Sequence, residues 1–474
     1  MASLQEAGAG AAAGSPMIAE TTLDAFRADL DGTLARPGDA TYVEATTIWN
    51  GMIAKRPSLV VRAASVEDVV RTVALAAEQG IELSIRGGGH NIAGLALSDG
   101  GITLDMSGFR EIAVDPEARL ASVGAGCLIG EVDRATQAHG LAAPFGFVSL
   151  TGVAGLTLGG GFGYLTRRLG WTVDSLEAVE IVLADGSVRR ASRSEEPELF
   201  WALRGGGGNF GVVTEFVFRL HEVDPQVTAG IMAWPAARAE EVLQAFRDTT
   251  DAAPRELTLA AIRRNAPPAP WLPESAHGTP IVMVVACHSG TADQASADLA
   301  RLRSIPDALA DLVQVKEYTA QQALLDATQP KGMHYYWKSE FVPGLSDGLL
   351  ETYHAQFEGL AAPANQIVLF HLAGALNERA HDDGAVGNRD AGFACVVQSM
   401  FAPDGPAEQN RAWVRSAWEA LRAFGTGGNY VNFQTDDEPD DRTAASYGAN
   451  FDRLRAVKQR YDPTNVFRVN RNIR

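Results

Sequence analysis

From about Leu59 onward the hydrophobic positions fall into regular registers. Val69, Val70, Val73, Ala74 and Ala77 recur at the spacing of one helix face. Ser65, with Asp68 three positions on, predicts the start of that helix, and Gly80 its end. The period then drops to alternation: residues 81–85 read as a strand that runs straight into three glycines. Ile102, Leu104 and Met106 mark a second strand, and residues 120–123 a third. Residues 129–139 read as a helix closed by Gly140. Residues 179–190 predict a hairpin turning at Asp185 and Gly186, in a type I′ turn that needs positive φ at both positions. Ser194 is placed as the cap of a short helix through Trp201 and Leu203. Four glycines follow, then the apolar strand 212–220.

After about Glu222 the texture changes. Long amphipathic segments alternate with strands at residues 280–286, 335–341 and 366–372. Residues 451–458 read as a helix, and 461–467 as a turn-rich tail. The pattern is α+β, and 474 residues exceed one ordinary core, so two or three domains are expected. Net charge is −18, which argues against a nucleic acid or an anionic membrane as partner. No uninterrupted apolar run reaches the roughly 18 residues of a membrane span. The Ala- and Gly-rich start lacks the basic and apolar regions of a secretory signal, so a disordered tail on a cytoplasmic protein is expected. Cys127, Cys287 and Cys395 form no CxxC pair, so neither a metal site nor a disulfide framework is indicated.

The candidate chemistry lies in three glycine clusters: residues 87–89, 152–163 and 205–211. Clustered glycine lets backbone N–H groups approach phosphate oxygens closely. Gly206, Gly208 and Gly211 match G-x-G-x-x-G, but a helix precedes them and a strand follows. That is the reverse of a dinucleotide fingerprint, so a nicotinamide-type Rossmann site is rejected. His90 ends the first cluster, where a phosphate-bearing cofactor would lie. Taken alone, a histidine there is more often an ordinary loop residue bonded to its neighbours.

Five motifs in order change that balance. They are Arg86-Gly87-Gly88-Gly89-His90-Asn91, the run from Gly152 to Gly163, the run from Leu199 to Val213, Tyr430-Val-Asn432-Phe433, and the stretch from Tyr461 to Asn470. Together they resemble the FAD-linked oxidases of the vanillyl-alcohol oxidase superfamily. The likeness is to the berberine-bridge-enzyme-like branch, with its bacterial 6-hydroxy-D-nicotine oxidase-like members. It extends from about Pro57 to Ile473.

The resemblance implies a fold and a set of roles. A PCMH-type FAD-binding domain of two subdomains would occupy residues 21–222, with its core at 57–222, after a tail at 1–20. An α+β substrate domain with an antiparallel sheet would span 223–440, and residues 441–474 would return to the FAD domain. His90 would bond covalently to the flavin. Arg86, Gly87, Gly88, Gly89 and Asn91 would wrap the pyrophosphate. Thr151, Gly152, Gly155, Leu156, Gly159, Val213 and Asn432 would contact the rest of the cofactor. Some members carry a second tether, a cysteine twelve residues before the Gly-Gly-Phe-Gly run. Here that position is Val148, so a single bond through His90 is expected.

The resemblance also implies that Thr151 would stand beside the flavin's oxygen-reactive carbon, where small residues accompany oxidases in the family. The expected reaction is hydride transfer from a secondary alcohol, amine or cyclic intermediate, with O2 reduced to hydrogen peroxide. A dehydrogenase with another acceptor, or flavin binding without turnover, stays open. Tyr430 and His371 are the candidate bases. Tyr430 and Asn432 are expected on one face of a strand. Alternation sends Tyr335 and Trp337 to one side and Tyr336 to the other, so one set can face a pocket. The partners expected are a small-molecule substrate and O2, with no metal, and the oligomeric state is left open between monomer and homodimer.

Overall fold

The computed structural model describes residues 18–357 and 364–474. The tail expected at residues 1–20 therefore lies, as far as residue 17, outside the described residues.

Helix Val66–Gln79 forms where its apolar face predicts it. Ser65 Oγ accepts from the Asp68 N–H at 3.3 Å, and Gly80 closes the helix at φ 65°. The Asp68 carboxylate reaches back to the N–H groups of Asp31, Gly32 and Ala64, tying the N-terminal segment to this helix. A four-stranded sheet runs Thr33–Ala35, Leu59–Arg62, Ile102–Asp105, Leu83–Arg86, the last three parallel. A five-stranded antiparallel sheet runs Ile112–Asp115, Leu120–Gly124, Val212–Arg219, Leu176–Val182, Val188–Ser192.

Two local expectations are corrected. In the hairpin only Gly186 takes positive φ, at 78°, so its turn is not type I′. Gly186 N–H closes onto the Leu183 carbonyl and Gly186 itself is the left-handed residue, the pattern of a longer hairpin loop. Helix Pro197–Leu203 is not capped by Ser194. Pro197 occupies its first turn and Glu196 precedes it, while the Ser194 N–H is taken by Ser192 Oγ.

The second half is built on one large antiparallel sheet. Its order is Ala310–Asp311, Gln226–Pro235, Pro280–His288, Leu257–Asn265, Gln366–His371, Phe393–Phe401, His334–Val342, with Gln314–Glu317 also on Gln226–Pro235. Alternation divides its residues. Trp234, Ala261, Val284, Ile367, Leu369 and Val397 pack in one core with Val242, Phe246 and Leu350 of the helices behind. Ile231, Ala260, Ile262, Met283, Val368 and Phe370 face the other way and line a cavity.

The chain's end packs with the first half. Tyr447, Leu454, Val457, Phe467 and Ile473 share a core with Val61, Leu104, Phe200 and Phe216. Buried Asp462 organises the turn-rich tail, accepting from the N–H groups of Val466 and Phe467 and from Lys458 Nζ. Lys458 Nζ also donates to the carbonyls of Asn209 and Phe467. Asn470 Nδ2 donates to the Gly208 carbonyl. The last motif thus holds the third glycine cluster in shape.

Candidate active site

A cavity of about 650 Å³ lies between the glycine clusters and the open face of the large sheet. That is within the range of roughly 300–1,000 Å³ usual for ligand and cofactor sites. Gly87 to Asn91, Thr151, Gly152, Gly155, Leu156, Val213, Tyr430 and Asn432 all line it. These residues come from segments up to some 340 positions apart in sequence, brought together by the two halves of the fold.

The first two glycine clusters touch through their backbones. A Cβ on Gly88 would lie 2.4 Å from the Gly152 nitrogen, so no side chain fits between the loops. Gly89 takes φ 70° and turns His90 toward Trp49. Among the described residues, the N–H groups of Gly88, Gly89, His90 and Asn91 donate no hydrogen bond. Such groups need a partner, and among the described residues the cavity they border has no lining carboxylate. Both properties suit the diphosphate of a dinucleotide. The wide apolar lining beyond suits a flat ring system, so the residues present fit FAD.

His90 is half-buried, and its ring stacks on Trp49 with centroids 5.5 Å apart and planes 12° from parallel. Burial, helped by the charge of Lys331, pushes its pKa down to about 4. It is therefore a neutral imidazole at physiological pH, with a nitrogen lone pair available. Trp49 was not singled out from sequence, since it sits in a segment without periodicity. It is fixed by Tyr335, stacked at 3.9 Å, and by a bond from its Nε1 to the Gln329 carbonyl. Only the folded chain brings those partners within reach. Tyr335 and Trp337 do share the side turned to Trp49, and Trp337 lines the cavity. Tyr336 points the opposite way, its hydroxyl donating to Asp437.

Tyr430 and Asn432 do not lie on a strand. Residues Val431–Phe433 form a single 3₁₀ turn. Both side chains still reach the cavity, because Asn432 Nδ2 donates to the Tyr430 hydroxyl at 3.0 Å. The Gly161 N–H donates to the same oxygen at 3.0 Å. Phe162 and Phe433 sit edge-on to the Tyr430 ring, each at 4.9 Å. Burial raises the Tyr430 pKa well above the usual tyrosine range, against the opposing pull of Asn432 and Gly161.

Three expected site residues fall elsewhere. His371 is not among the cavity-lining residues. Its Nε2 lies 2.7 Å from Arg167 Nη1 and its ring stacks on Phe393. Burial, with Arg167 beside it, pushes its pKa down to about 2, away from the near-neutral range that suits a general base. It is one position past the cavity-facing Phe370, and alternation turns it to the other side. Arg86 lends the loop its backbone, but its guanidinium donates to Asp105 at 2.8 Å and does not line the cavity. Gly159 also lies outside the lining. Its missing Cβ makes room for Asn432, whose amide would stand 2.4 Å from that atom.

None of Cys127, Cys287 and Cys395 lines the cavity, and all three are buried. Val148 does line it. Among the described residues no group of acidic, His or Cys side chains could hold a metal, and no helix is long and apolar enough to cross a membrane.

Known proteins share the sequence family and the fold. Residues 57–192 match the FAD binding domain family, and residues 429–474 the family described as berberine and berberine like. The chain is 32% identical over 459 residues to (R)-6-hydroxynicotine oxidase of Paenarthrobacter nicotinovorans, covering 94% of this chain and 97% of that protein. It is 29% identical over 454 residues to an FAD-linked oxidoreductase of Dictyostelium discoideum, covering 95% and 96%. Among solved structures, 6-hydroxy-D-nicotine oxidase from Arthrobacter nicotinovorans superposes with a TM-score of 0.83 at 28% identity, covering 94% of this chain and 98% of that one. A variant of BBE-like 1 from Physcomitrella patens gives 0.85 at 25% identity, covering 94% and 97%.

Proposed function

The chain belongs to the berberine-bridge-enzyme-like FAD-linked oxidoreductases, and from that premise we propose an oxidase carrying FAD on one covalent bond, at His90. Its substrate is a small organic molecule with a C–H next to an O–H or N–H. Bound FAD supplies a hydride acceptor and a route for the electron pair to oxygen, which leaves as hydrogen peroxide.

One observation carries the reading. A neutral imidazole stands in the cavity wall at the end of a glycine loop whose N–H groups are free. A nucleophilic nitrogen is what a bond to the flavin's 8α carbon requires. Valine at position 148, and the absence of cysteine from the lining, support one tether rather than two.

The protein's own groups then divide the work. Gly88 to Asn91 would hold the diphosphate through their N–H groups. Asn432 positions Tyr430 and faces the cofactor. Thr151 leaves space at the wall for oxygen to reach the ring. Tyr430, as phenolate, takes the proton from the substrate's O–H or N–H, and the Gly161 and Asn432 donors stabilise the negative oxygen. The aromatic wall of Phe147, Phe162 and Phe370 excludes water around the reacting carbon.

The test begins with acid precipitation of the purified protein. The yellow colour is expected to stay with the pellet, and His90→Ala is expected to release it to the supernatant. Colour left in the wild-type supernatant refutes the tether. With a panel of alcohols and amines under air, peroxide is expected in step with substrate consumed. Flavin that bleaches and stays reduced in air refutes the oxidase reading.

A further inference from the structure

The sheet end of the cavity holds a positive charge without a counter-charge. The sequence carries 58 acidic residues, yet among the described residues no Asp or Glu lines the cavity. Two arginines do. Arg471 lies at the third glycine cluster and is engaged, its Nη2 donating to the carbonyls of Gln434 and Thr435.

Arg264 is different. It sits on the cavity face of strand Leu257–Asn265, in register with Thr258, Ala260 and Ile262. Its one hydrogen bond among the described residues runs from Nε to the carbonyl of Asn265, at 3.1 Å. The two terminal nitrogens of the fork are left without partners. Burial alone holds its pKa below the usual arginine range, with no carboxylate pulling it back.

Its neighbours continue the theme. Arg264 pairs across the sheet with Gln366, Gln366 with Gln398, and Gln398 with Trp337. All four line the cavity. The Trp337 indole N–H is buried without a partner. Among the described residues neither glutamine side chain makes a hydrogen bond. The row therefore offers a cation, two amides and an indole N–H. A half-buried cation without an anion is unfavourable unless a ligand supplies one.

We propose that the substrate bears a carboxylate, which Arg264 holds through its free fork nitrogens. A single planar guanidinium matches one carboxylate in a bidentate pair, whereas a phosphate dianion would call for a second cation that this end lacks. Strands are spaced about 4.8 Å apart, so Arg264 and Trp337 stand roughly 14 Å apart along the row. Trp337 is the end beside Trp49 and Phe433, next to His90 and Tyr430. The carboxylate is thus at the end of the substrate remote from the reacting carbon. Gln366 and Gln398 face the polar groups between. This rests on the cavity being the active site.

The experiment titrates the holoenzyme with 3-phenylpropionate and with 3-phenylpropionamide, reading the flavin difference spectrum and protection against thermal unfolding. Wild type is expected to bind the acid roughly tenfold more tightly than the amide. Arg264→Gln is expected to erase that preference while leaving amide affinity and covalent flavin content unchanged. Arg264→Lys is expected to keep part of it. Equal affinity in wild type, no detectable binding of the acid, or a preference surviving in Arg264→Gln overturns the proposal. Neither readout needs turnover, so this result is separable from the peroxide and acid-precipitation tests.

Discussion

Tyr430 accepts two hydrogen bonds on its hydroxyl oxygen and keeps one proton to give. Burial raises its pKa, so the phenolate is scarce near neutrality. If Tyr430 must be ionised to take the substrate proton, the rate follows the ionised fraction. Below a raised pKa that fraction grows tenfold per pH unit. Anaerobic flavin reduction in a stopped-flow mixer should therefore accelerate from about pH 7 to about pH 9 without levelling off. Tyr430→Phe should flatten that slope and slow reduction by about 10²–10⁴-fold. His371 shows the complement: an imidazole of the right chemistry stands beside a guanidinium and outside the cavity lining.

Among the elements, the backbone contact between the first two glycine clusters is the tightest constraint on the cavity. Gly88→Ala puts a methyl 2.4 Å from the Gly152 nitrogen, where backbone cannot yield as a side chain end can. It should lose about 1–3 kcal/mol in urea unfolding and carry little flavin. Gly155 lies in the helix Val153–Leu158, and a Cβ there would meet nothing within 4 Å. Gly155→Ala should keep or raise apoprotein stability by up to about 1 kcal/mol, with any loss confined to flavin loading. Two glycines of one cavity wall thus separate folding from cofactor fit.

At the scale of the molecule, the two halves meet at a buried acid. Asp133, on helix Ile129–Gln137, accepts from Gln322 Nε2 at 2.8 Å, and Gln322 belongs to a helix of the second half. Burial raises the Asp133 pKa to about 7. The folded state therefore holds a proton that the unfolded state releases near its ordinary pKa of about 3.9. The contribution is fully present below that value and is lost as pH rises through about 7. Asp133→Asn cannot ionise. The melting temperature of that variant should gain on wild type between about pH 4 and about pH 7, then run parallel to it. A constant offset across that range would show that Asp133 does not titrate there.

Local pattern determined much of this protein. Ser65 and Gly80 bound their helix, and alternation sorted Tyr335 and Trp337 from Tyr336. These depend on neighbours within a few residues, where periodicity and backbone freedom act. The tertiary structure decided the rest. It brought Trp49 onto His90 through Tyr335, withdrew Arg86 to Asp105 and His371 to Arg167, and replaced the strand expected at Tyr430 with one 3₁₀ turn. It also left Arg264 facing a cavity that, among the described residues, no acid lines. Each of these outcomes depends on contacts made only in the folded chain: Trp49 on Tyr335 and His371 beside Arg167 join the two halves, whereas Arg86 and Asp105 meet across neighbouring strands of one sheet.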